Sequence, residues 1–533
     1  MAKQTRNVFG PLIMAGMLAL GVGIGNFMSG NGPVNKKLIA TNNNEKIGQV
    51  LRLIEERYVD TINTSQVVEE TIEEMLYDLD PHSDYIPARE LSQSSEALDG
   101  SFQGIGVEFT IQRDTLIVIN PVEGGPSEQA GVKPGDRIVF VEDSLIAGVD
   151  ISNETVMNLL KGPANTEVKI QVKRRNFSEI LPITITRGHI PINSIASAIR
   201  ISKSSAYVKL VRFARTTMDE WNDAMTKVNV TQLDNLILDL RGNGGGYLTT
   251  AVDLADEFLG DRKMIVYTEG QAYDRETHKA TSKGKLDDIN LYILIDENSA
   301  SASEVLAGAI QDHDRGTIIG RRSFGKGLVQ EQKFFDDNSA IRLTIARYYT
   351  PTGRSIQKPY GDGIDYENDY AERYESGELL SADSISFPDS LKFTTPGGKV
   401  VYGGGGIMPD LFVGIDTLGA SEYFSELNYN GLINRYAFQY ADDNRDRLND
   451  YDKYEFFIEN FEVNSDLLEQ FIQFAENNGV DKDEKGLMAS KEIIKDRLKA
   501  YIARNIWKND AFYTALLQDD KVYNATIKYI ENQ

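Results

Sequence analysis

The chain of 533 residues has no cysteine, four histidines and two tryptophans. Without thiols, cysteine nucleophiles, disulfides and thiolate metal sites are excluded together, and stability rests on packing. No pair among His82, His189, His278 and His313 has the spacing of zinc ligands, and none stands in a recognisable triad motif. A Ser/His arrangement through His313, which is near Ser301 in sequence, is the rival hydrolase reading. Positive charge is scarce as well: 56 Lys and Arg face 80 Asp and Glu, and the resulting formal charge of -24 repels a phosphate backbone. Nucleic acid is therefore not an expected partner. The acidic excess is read as a solubility device.

Long hydrophobic runs are also rare, which makes residues 8–28 stand out. This mostly apolar segment follows Lys3 and Arg6 and has about the length that spans a bilayer, roughly 20 residues. It reads as an export signal or, preferably, an uncut membrane anchor, and is set aside from the fold. The preceding positive charges place the amino end in the cytoplasm and the body outside it. With no cysteine after the run, lipoprotein processing is excluded.

The remaining length suffices for about two to four domains. Apolar residues recur at helical spacing over 47–58 and 67–79, and the polar, proline-containing stretch 80–84 ends the second helix. Residues 100–187 change to short β-like runs at 106–111, 116–119, 137–141 and 168–172, with one helix at 153–160. From 190 to about 414, strands and helices alternate. Runs 236–240 and 291–295 are continuously apolar, as in strands buried on both faces of an α/β domain. Beyond residue 421 the pattern is helical without a motif that suggests chemistry.

Three segments carry the chemistry. In NSASASEVLAGAIQ, from residue 298, a loop of small residues follows an apolar strand and precedes a helix, so Ser301 stands where a nucleophile could be exposed beside a helix amino terminus. Read alone, such a turn is a helix cap. In SFGKGLVQ, Lys326 lies among glycines that permit close backbone approach. A lysine acts as a base only when neutral, which requires its pKa to fall by roughly 3 units through burial. Read alone, it is a solvated or anion-binding loop lysine. In LDLRGNGGG, residues 238–246, backbone amides at Gly245 and Gly246 could join that of Ala302 as an oxyanion hole. A phosphate loop competes, but the lysine and hydroxyl that end a Walker loop are missing.

Together these segments resemble the carboxyl-terminal processing peptidases, or tail-specific proteases, of serine peptidase family S41. The resemblance also rests on LDPHSDY (79–85), YYTPTGRSIQ (348–357) and GGGGIMPD (403–410), and covers most of residues 45–415. It implies Ser301 as nucleophile, Lys326 as general base and Gln330 as the residue that positions the lysine, with Glu304 and Asp312 as supporting residues. The segment FQGIGVEF resembles the carboxylate-binding loop of a PDZ-like domain, with Gly104, Ile105, Gly106 and Val107 as the peptide-binding positions.

The fold so implied is a multidomain α/β protein, with a crotonase/ClpP-like catalytic core, an inserted PDZ-like β-rich domain and flanking helical segments. The expected boundaries are 1–34 for anchor and linker, 35–95 helical, 96–188 PDZ-like, 189–415 catalytic and 416–533 helical. The expected function is serine endopeptidase cleavage near flexible carboxyl-terminal tails, without a cofactor, on the periplasmic side of a bacterial inner membrane. A peptide-binding scaffold that has lost catalysis is the alternative, and assembly into a homo-oligomer is left open. Two stretches fall outside the shared motifs: a polar insertion at 360–392 and everything after about residue 416.

Overall fold

The computed structural model describes residues 43–533 apart from 176, 362 and 418. The expected anchor at 8–28 lies outside these residues, and among the described residues no helix is long and apolar enough to cross a membrane. The chain divides into two compact units, Met1–Glu74 and Met75–Gln533. In the first, helix Asn43–Arg57 is followed by the start of helix Thr64–Tyr77.

The second unit is built around three larger sheets. One is antiparallel and formed by Val107–Gln112, Thr115–Pro121, Arg137–Val141, Glu167–Lys173 and Ile180–Thr186 in that spatial order, with Ser144–Leu145 on the third strand. Alternating Val168, Ile170 and Val172 point inward with Leu116, Val118 and Ile138, and helix Asn153–Leu160 closes this core with Val156 and Leu160. Period-two patterning is what a sheet with one covered face demands. Ser152 caps that helix by accepting from the Thr155 amide at 3.1 Å.

A second sheet runs through the centre in the order Ile195–Arg200, Ser205–Leu210, Asn235–Asp239, Asn290–Ile295, Gly316–Gly320 and Leu411–Phe412. Its first pair is antiparallel and the rest are parallel. The continuous apolar runs 236–240 and 291–295 follow from burial on both faces. Leu236, Leu238, Leu291 and Ile293 face a core shared with helices Thr217–Lys227, Leu248–Asp256 and Ala302–Asp312. Ile237, Tyr292 and Leu294 face the other way, against Val522, Tyr523 and Ile530 of the last helix, Lys521–Glu531.

The third sheet joins Asp84–Ile86, Ala340–Tyr349, Met264–Glu269 and Glu276–Lys279, and Leu328–Phe334 also pairs with Ala340–Tyr349. The sequence pattern did not announce this sheet, because its strands are only half buried and carry polar residues such as Gln330, Gln332 and Arg342. After residue 421 come seven helices with their own core, centred on Phe457, Phe471, Leu498 and Ile502, except that the last packs on the central sheet.

Candidate active site

Strands Asn235–Asp239 and Asn290–Ile295 are parallel neighbours, so the loops after them emerge side by side. Those loops are stitched together by backbone and short polar side chains. The Asn243 carbonyl accepts from the Ala300 amide at 3.0 Å and from Ser303 Oγ at 2.9 Å. Ser299 Oγ donates to the Leu240 carbonyl at 2.9 Å, and the Gly242 amide donates to Asp296 Oδ1 at 2.9 Å. Asn243, not singled out in the sequence, thus makes two of the four bonds that hold the glycine loop to the serine loop.

Ser301 sits at the junction of loop and helix with φ 55° and ψ -114°. This is a strained backbone position for a residue with a side chain, of the kind found where a strand-to-helix turn exposes a nucleophile. Helix Ala302–Asp312, buried along its whole length, begins immediately after it. Gly245 presses against this turn: a Cβ there would lie 2.8 Å from Ser301 Cβ and 2.9 Å from the Ala300 carbonyl. Only glycine permits that approach.

A cavity of about 750 Å³ is lined by Ser301, Ala302, Gly245, Gly246, Lys326 and Gln330 among others. Lys326 reaches it from the loop before strand Leu328–Phe334. Its Nζ donates to Gln330 Oε1 at 3.1 Å. No hydrogen bond joins the Lys326 and Ser301 side chains among the described residues, although both line the cavity. Burial pulls the lysine below its ordinary pKa and Arg342 adds repulsion, while Asp80 and Glu304 act in the opposite direction.

Glu304 ties the serine and lysine loops together. Fully buried one turn into the helix, its Oε2 accepts from the amides of Ser301 (2.8 Å) and Lys326 (2.8 Å). Its Oε1 accepts from Ser323 Oγ (2.5 Å) and the Gly325 amide (2.7 Å). Burial pushes this carboxyl up to about 7, against the hydrogen bonds from Ser323, Lys326, Gly325 and Ser301. The Tyr348 hydroxyl donates to the Ser301 carbonyl at 3.1 Å and also to the Lys326 carbonyl.

Gln330 is held in turn from the other side, since its Nε2 donates to the His82 carbonyl. His82 belongs to a turn organised by buried Asp80, whose Oδ1 accepts from the amides of His82 and Ser83, both at 2.9 Å, and from Thr344 Oγ1 at 3.1 Å. Ser83 Oγ donates to Asp80 Oδ2 at 2.7 Å and accepts from the Thr344 amide at 3.1 Å. The His82 ring meets the Tyr366 hydroxyl at 2.8 Å. Burial, then Lys326, lower its pKa to about 4 against the pull of Asp80, so the imidazole is neutral at pH 7. Tyr366 belongs to the polar insertion, which also reaches the lysine loop through Arg373 donating to the Arg322 carbonyl at 2.6 Å.

One expected site residue needs correction, and two others lie away from the cavity. The Gly245 amide is not free for an oxyanion, because it donates to Asn243 Oδ1 at 2.9 Å. The amides of Gly246 and Ala302 donate to no described residue, which leaves them as the available pair. Asp312 does not line the cavity. It forms a buried ion pair with Arg354 at 2.7 Å and binds Thr352 through its amide and hydroxyl. His313 caps the far end of the serine's 11-residue helix, about 18 Å from Ser301 along the axis, with its ring on the Met264 carbonyl at 2.7 Å.

At the expected peptide-binding loop, Gly104 ends strand Ser101–Gly104 opposite Gly188. The Ile105 carbonyl is used by Ser127, through its amide at 3.0 Å and its hydroxyl at 2.6 Å, and the Gly106 carbonyl by the Val122 amide at 2.9 Å. With carbonyls turned inward, the Ile105 and Gly106 amides donate to no described residue. Gly106 has φ +71°, and a Cβ there would meet Ile190 Cδ1 at 2.8 Å. Val107 opens Val107–Gln112, an edge strand of its sheet.

The chain is similar to known proteins. Residues 204–368 match the model of peptidase family S41, residues 103–185 that of the PDZ domain, and residues 423–509 that of a family of unknown function (DUF8443). The chain is 34% identical over 376 residues to a carboxy-terminal-processing protease of Bartonella bacilliformis, covering 68% of this chain and 85% of that protein. It is 30% identical over 336 residues to the carboxy-terminal processing protease CtpA of Bacillus subtilis, covering 62% and 71%. Among solved structures it is similar to the photosystem II D1 C-terminal processing protease, at 26% identity over 69% of this chain and 92% of that one, with a TM-score of 0.35.

Proposed function

Because the chain belongs to peptidase family S41, the carboxy-terminal processing serine peptidases, we propose that it cleaves protein substrates near flexible carboxyl-terminal tails with Ser301 as nucleophile and Lys326 as general base. The observation that carries this reading is Glu304, one carboxylate that binds the amides of both Ser301 and Lys326 and so holds the two loops at one cavity. Burial favours the neutral amine that a base must be. In the acylation step Ser301 Oγ bonds to the scissile carbonyl carbon as its proton passes to Lys326 Nζ. The developing oxyanion takes hydrogen bonds from the Gly246 and Ala302 amides. The ammonium then returns its proton to the leaving amine as the C–N bond breaks, and water hydrolyses the ester with Lys326 again as base. Gln330, fixed at both ends of its amide, aims the lysine. No hydrogen bond joins the Lys326 and Ser301 side chains among the described residues, so in this reading proton transfer requires the two, which line one cavity, to come together around the substrate.

The substrate's tail is selected at the PDZ-like sheet. Its carboxylate meets the Ile105 and Gly106 amides, and its backbone adds as a strand along the open edge of Val107–Gln112. The crotonase/ClpP-like description of the core, the boundaries at 34, 95, 188 and 415, and attachment to a bacterial inner membrane through residues 8–28 belong to the same reading. The last rests on sequence alone.

Purified enzyme should cut a tail-bearing unfolded substrate. Ser301→Ala and Lys326→Ala should each abolish cleavage, whereas His313→Ala should retain it. Amidating the substrate's carboxyl end should slow the reaction, and equal rates for free and amidated tails would count against tail selection. Wild-type protein that binds tails and never cuts them would instead establish the non-catalytic scaffold.

A further inference from the structure

The glycine loop that carries the Gly246 amide leaves the central sheet at Asp239, and its first residue is held from an unexpected direction. Asp239 is 1% exposed and receives Tyr207 Oη at 2.7 Å, Lys209 Nζ at 3.1 Å and Arg241 Nη2 at 2.6 Å. The other nitrogen of that guanidinium, Nη1, meets both oxygens of Asp520, at 3.0 and 2.8 Å. Arg241 is thus clamped between two carboxylates, one from the end of the preceding strand, two residues back, and one 279 residues away in sequence. Two carboxylates balance Arg241 and Lys209, so the cluster is neutral only with Asp520 present. Most surface pairs contribute little, but here the side chains are only 17% and 24% exposed and the guanidinium fork is filled on both sides.

Asp520 is itself anchored. It is the N-cap of helix Lys521–Glu531, accepting from the Tyr523 amide at 2.7 Å. That helix lies on the back of the central sheet, with Tyr523 edge-on to Tyr207 at 6.1 Å and Tyr529 edge-on to Tyr292 at 6.2 Å. The clamp therefore connects a packed helix to the entry of the glycine loop, and the loop connects through Asn243 to the turn of Ser301.

We propose that Asp520 is a positioning residue for the oxyanion loop, through which the carboxyl-terminal helical region becomes part of the catalytic apparatus. The inference rests on the reading of Gly246 and Ala302 as oxyanion donors. Asp520 touches no reacting atom. It fixes Arg241 and with it the path of residues 242–246, and small displacements of such a loop have large kinetic effects.

The test uses the full chain with Asp520→Asn, because asparagine caps a helix as well as aspartate does but carries no charge for Arg241. Expected is a fall in kcat of roughly ten- to a hundredfold with little change in KM. The affinity for a peptide boronic acid, whose tetrahedral adduct occupies the oxyanion site, should fall in parallel. Binding of the uncleaved peptide to the Ser301→Ala chain should not change when Asp520→Asn is added, and Asp520→Glu should recover part of the rate. Wild-type kcat and boronate affinity in Asp520→Asn would overturn the proposal. So would a loss of rate matched by loss of peptide binding, or by faster amide exchange throughout helix Lys521–Glu531, since either would indicate a merely structural role. If instead Ser301→Ala still cleaves and wild type ignores the boronate, the underlying reading of the site fails as well.

Discussion

Glu304, expected from the resemblance only as a supporting residue, binds the backbone of both loops that line the cavity. Its position three residues after Ser301 makes it the partner of that serine's backbone in a capping box. The sequence could not show that Ser323, Gly325 and Lys326 would converge on the same carboxylate. A consequence can be measured in the stability of the protein. The folded carboxyl titrates at about 7 against an ordinary 4.5, so the native state binds the proton more tightly than the unfolded chain. This contribution is fully present below about pH 4.5 and is lost as pH rises through 7. Over that window, wild type should lose roughly 3 kcal/mol of unfolding free energy relative to Glu304→Gln, which does not titrate. Urea unfolding of both proteins from pH 4.5 to 8 measures the difference, and a difference independent of pH would contradict the assignment.

At the scale of elements, the turn 80–83 is the clearest case of local sequence serving a distant site. Its proline and short polar residues announced a helix stop. What they did not announce is that Asp80 and Ser83 would grip Thr344 and present the His82 carbonyl to Gln330. Asp80→Ala removes several hydrogen bonds to a buried carboxylate and should cost about 2 to 3 kcal/mol of stability. It should also lower kcat more than it raises KM, because Gln330 loses its fixed partner. Thr344→Val removes only the hydroxyl contact and should have a smaller effect in both measurements. The half-buried strands Leu328–Phe334 and Ala340–Tyr349, on which Gln330 and Thr344 stand, were the least legible part of the chain because each offers no clean alternation of apolar and polar residues.

Across the whole molecule, exposed ion pairs connect the PDZ-like sheet with the carboxyl-terminal helices. Arg504 meets Glu108 at 2.8 Å and Lys508 meets Glu123 at 2.5 Å, with all four side chains at least a third exposed. Lys508 lies at a break in the long helix Glu484–Leu517, with φ 65° and ψ -157°. Such pairs contribute little and are screened by salt. A double-mutant cycle on Glu108→Gln and Arg504→Gln should therefore give a coupling below about 1 kcal/mol that shrinks further at about 1 M salt. A coupling above about 2 kcal/mol that survives salt would mean that the two regions are held more rigidly than their contacts imply.

The sequence by itself determined the alternation of buried strands and helices and the helix Asn153–Leu160, because apolar periodicity is a local property of the chain; the grouping of Ser301, Lys326 and the glycine loop came from the family resemblance and not from any local pattern. The sequence also excluded thiol chemistry outright. Only the tertiary structure decided which amides remain free beside Ser301, and that Gly245 is not one of them, because an amide's availability depends on where Asn243 folds back. The same holds for Asp312, whose partner Arg354 fills the role that sequence left open, and for Asp520. Hydrogen bonds and ion pairs between residues hundreds of positions apart leave no period in a sequence; they exist only once packing has brought the partners together.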